Sequence, residues 1–151
     1  MHVVLVEPEI PQNTGSIART CAATGTPLHL VGALGFEISD RRVRRAGLDY
    51  WPFVRLFQHR GWDDFLKAVH PAELWFFSKR GQTPYHQVSY HTEAALVFGS
   101  ETKGLGEEFL ARQISDHILR IPMLSPHVRS LNLSNAVAIA LYHALQQTGA
   151  I

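Results

Sequence analysis

Apolar residues along the chain fall into short runs separated by polar, glycine- and proline-containing stretches. The first run, His2 to Val6, is valine-rich and continuous rather than alternating, which is the pattern of a strand buried on both faces. Pro27 to Val31, Phe53 to Phe57, Glu73 to Ser78, Ala94 to Phe98 and His117 to Ile121 repeat it. Helical periods lie between them. One runs from about Thr14 to Thr24, with Asn13 as its N-cap and Gly25 as its stop. A short basic helix covers Asp40 to Ala46, ending at Gly47. Others cover Trp62 to Val69, Gly106 to Gln113 and Leu133 to Gln147. Short apolar strands alternating with helices predict an α/β fold, a mostly parallel sheet with helices on both faces. One connection departs from this rule. Between Ser78 and Ala94 no helical period appears, and an irregular crossover of that length is often functional. No repeat, low-complexity run or linker interrupts the pattern, so residues 1–151 read as one domain.

The last helix has an unusual pattern. Ala136 to Leu145 is apolar on nearly every face, whereas a solvent-facing helix shows a polar stripe. It is therefore expected to be buried on two sides, against the core and against a second subunit. Just before it, Ser130, Asn132, Ser134 and Asn135 gather short hydrogen-bonding side chains, the place to look for a ligand.

Composition narrows the class. With 46% hydrophobic and 18% charged residues, a chain of 151 residues can build a real core and is not disordered. The formal net charge of +1 gives no bulk signal for a polyanion partner, which would need a local basic patch. The single cysteine, Cys21, excludes an internal disulfide and a cysteine-rich zinc site. Its neighbours Ala18, Ala22 and Ala23 mark it as a packed core thiol. Nine scattered histidines show no metal-ligand spacing, so no metal is expected. No apolar run approaches the ~18 residues of a membrane span, and the N-terminus reads as a strand rather than a signal peptide. A cytoplasmic protein without membrane contact is the expectation.

Four segments could carry chemistry. Gly99-Ser-Glu-Thr-Lys-Gly-Leu-Gly106 follows a strand, where open α/β sheets bind ligands. It is neither a P-loop, nor a dinucleotide fingerprint, nor a nucleophile elbow. By motif alone it reads equally well as a glycine-rich turn with Glu101 as a solvated or capping residue. Asn13-Thr-Gly-Ser-Ile-Ala-Arg19 opens a helix. Gly15 and Arg19 lie one turn apart there and could hold a phosphate, although a lone arginine is more often simply solvated. Arg41, Arg42, Arg44 and Arg45 form a basic cluster with Tyr50 and Trp51 beside it for base stacking, extended by His59, Arg60, Lys79 and Arg80. A soluble surface helix is its plain alternative. Arg120-Ile-Pro-Met123 precedes the fourth segment, Ser130 to Asn135, in which Asn132 and Ser134 could also be ordinary helix caps.

Together these segments resemble the SPOUT superfamily of RNA methyltransferases, of the TrmH type. Asn13-Thr-Gly-Ser-Ile-Ala-Arg19, Phe98-Gly-Ser-Glu-Thr-Lys-Gly-Leu105, and Ile121-Pro-Met with Ser130-Leu-Asn-Leu-Ser-Asn-Ala136 match its three motifs in order and spacing. Glu7-Pro-Glu-Ile-Pro and Arg44-Arg-Ala-Gly-Leu-Asp-Tyr50 extend the match over nearly the whole chain. It is most similar to small members that methylate the ribose 2′-oxygen of wobble nucleotide 34, a cytidine or modified uridine, in leucine tRNAs. The resemblance implies a C-terminal deep trefoil knot, a rare exception to unknotted topology, and a homodimer that places motif-one residues of one subunit at the other's cofactor. Val137, Leu141 and Tyr142 are then expected at a two-fold interface.

The implied cofactor is S-adenosyl-L-methionine, leaving as S-adenosyl-L-homocysteine. Its pocket would be lined by Phe77, Ser78, Gly81, Gly99, Ser100, Glu101, Gly104, Ile121, Met123, Ser130 and Leu131. The implied catalytic set is Arg19, Asn13, Glu101, Ser130 and Asn132. The tRNA contacts would be Arg19, Arg41, Arg42, Arg44, Arg45 and Tyr142. Two other readings stay open: ribose methylation of another tRNA position or of ribosomal RNA, and an RNA-binding module without catalysis.

Overall fold

A computed structural model describes residues 1–38 and 50–151. The predicted basic helix Asp40 to Ala46, with Arg41, Arg42, Arg44 and Arg45, lies outside the described residues. Seven strands form one sheet: β1 (His2–Val6), β2 (Leu28–Val31), β3 (Leu56–His59), β4 (Glu73–Phe77), β5 (Thr83–Pro84), β6 (Ala94–Phe98) and β7 (Ile118–Arg120). Their order is β3-β2-β1-β6-β4-β7-β5, and every pairing is parallel. The described helices are α1 (Pro11–Thr24), α2 (Trp62–Val69), α3 (Glu107–Ala111) and α4 (Leu133–Gln147).

Strand parity sorts the core into two layers. Val3, Leu5, Leu28, Leu30, Trp75, Phe77, Leu96 and Phe98 face Ile17, Ala18 and Cys21 of α1 and Val137, Ala140, Leu141 and Ala144 of α4. Their neighbours Val4, Val31, Phe76, Ala95 and Val97 face Phe65 of α2 and Leu110 of α3. Strands covered on both sides must be apolar throughout, which is why β6 reads as an unbroken run. Side chains such as Leu5, Ile17, Phe65 and Leu141, all with 0% exposure, each stabilise the fold by roughly 1.5–3 kcal/mol. Cys21 sits among them, and burial pushes its thiol up to about 12, so it packs as a hydrophobe.

Three expectations are corrected. First, α1 begins at Pro11, with Ile10 as N-cap, and not at Thr14. Pro11 has no N–H to leave unsatisfied and its fixed φ suits a first helical turn. Asn13 is therefore inside the helix and does not cap it, and Gly15 lies in the second turn. Second, the third strand is Leu56–His59 and not Phe53 to Phe57. Trp51–Phe53 instead makes a 3-10 turn around Pro52, leaving Phe53 72% exposed.

Third, α4 turns Val137 and Leu141 into this chain's own core. Val137, Ala140, Leu141, Ala144 and Leu145 repeat at i, i+3, i+4, i+7 and i+8 into the chain's own core. Val137 and Leu141 are thus core residues and not interface residues. Ile139 and Tyr142 point the other way and are 38% and 47% exposed. Asn132 caps α4 by accepting the Ser134 N–H at 2.9 Å.

The crossover between Phe77 and Ala94 lacks an α-helix, as its sequence predicts. It contains the two-residue strand β5 and a 3-10 turn at Tyr85–Gln87. β7, later in the chain, lies between β4 and β5.

Across the α2 face runs a chain of three histidines from adjacent strands. His2 Nδ1 lies 3.1 Å from His29 Nε2, and His29 Nδ1 lies 2.9 Å from His59 Nε2. The nitrogens pair with one another instead of converging on a point, and no group able to hold a metal ion occurs among the described residues. His29 is 3% exposed and stacks on Phe57. Burial, with smaller contributions from His2, His59 and Arg55, lowers its pKa to about 3.

This has a definite sign. Above pH ~6.5 His29 is neutral folded or unfolded. Below that, the unfolded chain takes up a proton that the folded chain refuses until about pH 3. Unfolding free energy should then fall by about 1.4 kcal/mol per pH unit. Urea unfolding at pH 5.0 is expected to show roughly 2 kcal/mol less stability than at pH 6.5 from this group. His29→Phe should flatten the dependence by that amount; an unchanged slope would refute the assignment.

Candidate active site

The strand order reverses beside β1. The chain proceeds from β1 outward through β2 and β3, then resumes on the other side of the sheet with β4. Ligand crevices in open α/β sheets lie outside the carboxyl ends of strands at such a switch. Here those ends carry the β1–α1 loop and the β6–α3 loop.

The two loops clasp each other. Glu101, half-buried in the β6–α3 loop, accepts the Glu9 N–H at 2.8 Å and the Ile10 N–H at 3.1 Å. Its Oε1 also accepts Asn13 Nδ2 at 3.0 Å. In return the Glu9 carboxylate accepts the Thr102 hydroxyl at 2.8 and 2.9 Å and the Thr102 N–H at 3.2 Å. Asn13 Oδ1 accepts Asn132 Nδ2 at 3.0 Å, which ties in the start of α4. Asn13 is 8% exposed, so its amide is held in one orientation by a carboxylate on one side and an amide donor on the other. Asn13, Glu101 and Asn132, from three segments up to 119 positions apart, are thereby one hydrogen-bonded unit. Asn132 serves both as helix cap and as a member of this unit.

The glycines of the β6–α3 loop have structural reasons. Ser100 and Gly104 exchange backbone hydrogen bonds at 3.1 and 2.9 Å, so a Cβ on Gly99 would lie 1.9 Å from the Gly104 carbonyl carbon. Gly104 has φ +63°, with open space beside it. Ser100 is buried, and its hydroxyl accepts the Lys103 N–H at 3.2 Å.

The remaining predicted pocket residues lie at the end of β4, in the crossover after it, and beyond β7. Phe77 and Phe98, at the ends of adjacent β4 and β6, stack at 4.6 Å. The Ser78 N–H donates to Leu119 and the Gly81 N–H to Ser78, at 2.9 and 3.1 Å. A Cβ on Gly81 would lie 2.5 Å from the Leu119 backbone, so only glycine lets the crossover approach β7 this closely. After β7, Ile121 and Leu131 are half-buried, Met123 is 37% exposed and Ser130 is exposed.

Arg19 stands apart from the clasp. It is exposed, its Nη2 donates to the Tyr50 hydroxyl at 2.8 Å, and its guanidinium lies 4.5 Å from the Tyr50 ring centre. It lies six residues beyond Asn13 on α1, and so on another face of the helix. Tyr142 is exposed on the outer face of α4. The sequence reading missed Glu9 and Thr102, the return half of the clasp. Glu9 falls in Glu7-Pro-Glu-Ile-Pro, but nothing local pairs it with a residue 93 positions away.

Comparison with known proteins identifies the family. The family model for the SpoU rRNA Methylase family matches residues 1–142. A Saccharophagus degradans protein named tRNA (cytidine(34)-2'-O)-methyltransferase is 50% identical over 148 residues, covering 98% of this chain and 96% of that protein. A solved structure described as "Structural insights into the 2-OH methylation of C/U34 on tRNA" superposes with TM-score 0.92 at 46% identity, covering 99% of this chain and 97% of that one. A Sinorhizobium meliloti rRNA methyltransferase solved with AdoMet bound superposes with TM-score 0.82 at 27% identity, over 96% of this chain and 55% of that one. The chain belongs to the SpoU rRNA methylase family.

Proposed function

We propose that this protein transfers a methyl group from S-adenosyl-L-methionine to the ribose 2′-oxygen of nucleotide 34 in tRNA, with leucine isoacceptors as the expected substrates. The observation that carries the reading is the Asn13–Glu101–Asn132 unit, which joins three separate motifs at the switch point of the sheet. The Saccharophagus degradans relative bears the name of that activity.

The cofactor suits the residues beside the clasp. Gly104 offers open backbone, and Ile121, Met123 and Leu131 are apolar side chains left partly uncovered. Such a set offers faces for an adenine ring and backbone groups for its edge. Phe77, Ser78, Gly81, Gly99, Ser100 and Ser130 complete the pocket in this reading. The cofactor brings an electrophilic methyl on a sulfonium. Glu101 has both carboxylate oxygens engaged by N–H donors, so its part is to fix the loop beside the cofactor. A ribose hydroxyl must be aligned and lose its proton as it attacks. A guanidinium does not give up its proton in a protein, so Arg19 is no general base. It positions the substrate phosphate and hydroxyl through guanidinium hydrogen bonds, while Asn13, Asn132 and Ser130 orient the ribose. Arg41, Arg42, Arg44, Arg45 and Tyr142 remain the proposed further tRNA contacts.

Two architectural features belong to this reading. One is a trefoil knot within a single methyltransferase domain. β7 inserts between two strands that precede it in the chain, and Gly81 packs on its backbone. The other is a homodimer. Ile139 and Tyr142 on α4, with Leu124 at 100% and Val128 at 48% exposure, leave apolar surface of the kind that partner subunits cover. The dimer would carry Arg19 of one subunit to the other's cofactor. Ile139→Asp together with Tyr142→Asp should therefore yield monomers in sedimentation and lose methylation. A dimer that persists would move the interface elsewhere. A cytoplasmic location accords with a tRNA substrate, and no helix among the described residues is long and apolar enough to cross a membrane.

The direct test is incubation with S-adenosylmethionine and tRNA, followed by nuclease digestion and mass spectrometry. A methylated ribose at nucleotide 34 is the expected product. Cofactor binding without any product on tRNA would overturn the activity.

A further inference from the structure

A crevice of about 350 Å³ opens at the carboxyl ends of β2 and β3, lined by Leu30, Gly32, Leu34, Gln58, His59 and Arg60. It contains none of the residues assigned above to cofactor or catalysis. We propose that it holds one nucleobase of the RNA substrate, a neighbour of the nucleotide being methylated; this rests on the RNA-methylating reading just given.

The lining matches a flat heterocycle. Leu30, 1% exposed, and half-buried Leu34 give an apolar floor. Gln58 at the rim supplies both a donor and an acceptor. Arg60, its side chain 93% exposed, stands at the mouth. It holds Asp64 at 2.8 Å in an exposed i,i+4 pair, a weak interaction that a phosphate can replace. The volume is at the low end of the ~300–1,000 Å³ of ligand pockets, enough for a nucleoside but not for stacked nucleotides.

Its position fits as well. The crevice adjoins the β1–α1 loop through its lining residue Gly32, on which a Cβ would lie 3.0 Å from Glu7 Cγ. Two residues on, the same loop donates the Glu9 N–H to Glu101, and a Cβ on Gly35 would lie 2.8 Å from Glu9 Cα. Gly35 N–H also donates to the Pro8 carbonyl at 3.0 Å. One loop thus touches both the clasp and a lining residue of the crevice, so a strand with one nucleotide at the clasp can pass an adjacent one over the crevice.

The test is a binding experiment on the whole protein, with S-adenosylhomocysteine present. A fluorescent anticodon stem-loop RNA is titrated, then variants with one abasic site walked through its loop. One abasic position should weaken wild-type binding about 10-fold, within the range of losing one stacked, recognised base. Gln58→Ala should weaken binding of the intact RNA about as much, and should be indifferent to that same abasic site. Arg60→Ala should weaken all RNAs alike and reduce the salt dependence. Unchanged S-adenosylhomocysteine affinity in both variants shows that the pocket is intact. Wild-type RNA affinity in both variants, or losses that multiply at every abasic position, would overturn the proposal. Because the readout is binding, a protein that shows the coupling but transfers no methyl would refute the activity and leave the crevice standing.

Discussion

Arg19→Ala is expected to lower the rate of methyl transfer to tRNA by roughly 10³-fold or more, the scale of losing a group that aligns the reacting atoms. S-adenosylmethionine affinity should stay within about 3-fold, a change below 1 kcal/mol. The reason is geometric. Arg19 is exposed on α1 and holds Tyr50 rather than the Asn13–Glu101–Asn132 unit. Its removal should therefore leave the pocket loops in place. Arg19→Lys should recover little, because an ammonium cannot reproduce the planar fork that a phosphate and a hydroxyl share. The dimer adds a sharper test. If Arg19 serves the partner's site, Arg19→Ala mixed with an inactive Asn13→Ala protein should regain activity through mixed dimers that carry one complete site. Mixtures as inactive as the separate variants would place Arg19 in its own subunit's site. An Arg19→Ala protein that methylates at the parent rate would remove it from the mechanism.

How far the sequence carried this picture depended on the range of each signal. Ala94–Phe98 and Leu133–Gln147 were legible to the residue because their patterns are set locally, by double burial and by a capped 3.6-residue period. The same period in α4 showed an apolar helix but not which apolar residues face the chain's own core. Val137 and Leu141 pack inward while Ile139 and Tyr142 remain outside, a division fixed by the sheet beneath. Asn13 was singled out for the wrong local reason. Its type and place suggest an N-cap, yet Pro11 starts the helix earlier and frees the Asn13 amide for Glu101 and Asn132. Glu9 and Thr102 had no local signature, since their partnership exists only once β1 and β6 are neighbours. Glu101 could be recognised as a candidate, but its work in joining two loops could not.

That work makes Glu101 the site of the second large effect. Glu101→Ala removes the acceptors of the Glu9 and Ile10 N–H groups and of Asn13 Nδ2. Water can reach the Ile10 bond, which is exposed, whereas Asn13 is 8% exposed and would be left with a buried unpaired donor. An orphaned buried donor costs about 1–3 kcal/mol, so a modest fall in melting temperature is expected. The effect on catalysis should be larger. Asn13 would lose what fixes its amide, and Thr102–Glu9 alone would hold the two loops together. A fall in kcat of about 10²-fold, with weaker cofactor binding, is the expected outcome.

Glu101→Gln separates geometry from charge. An amide oxygen in the Oε1 position can still accept from Ile10 and Asn13, but the amide nitrogen then faces the Glu9 N–H, donor against donor. Flipping the amide satisfies Glu9 and sets the nitrogen against the other two. The glutamine variant should therefore be impaired less than alanine and should not recover fully in either orientation. Full activity in the glutamine variant would mean that the Glu9 bond is dispensable. Full activity in the alanine variant would mean that the clasp does not orient the reaction at all.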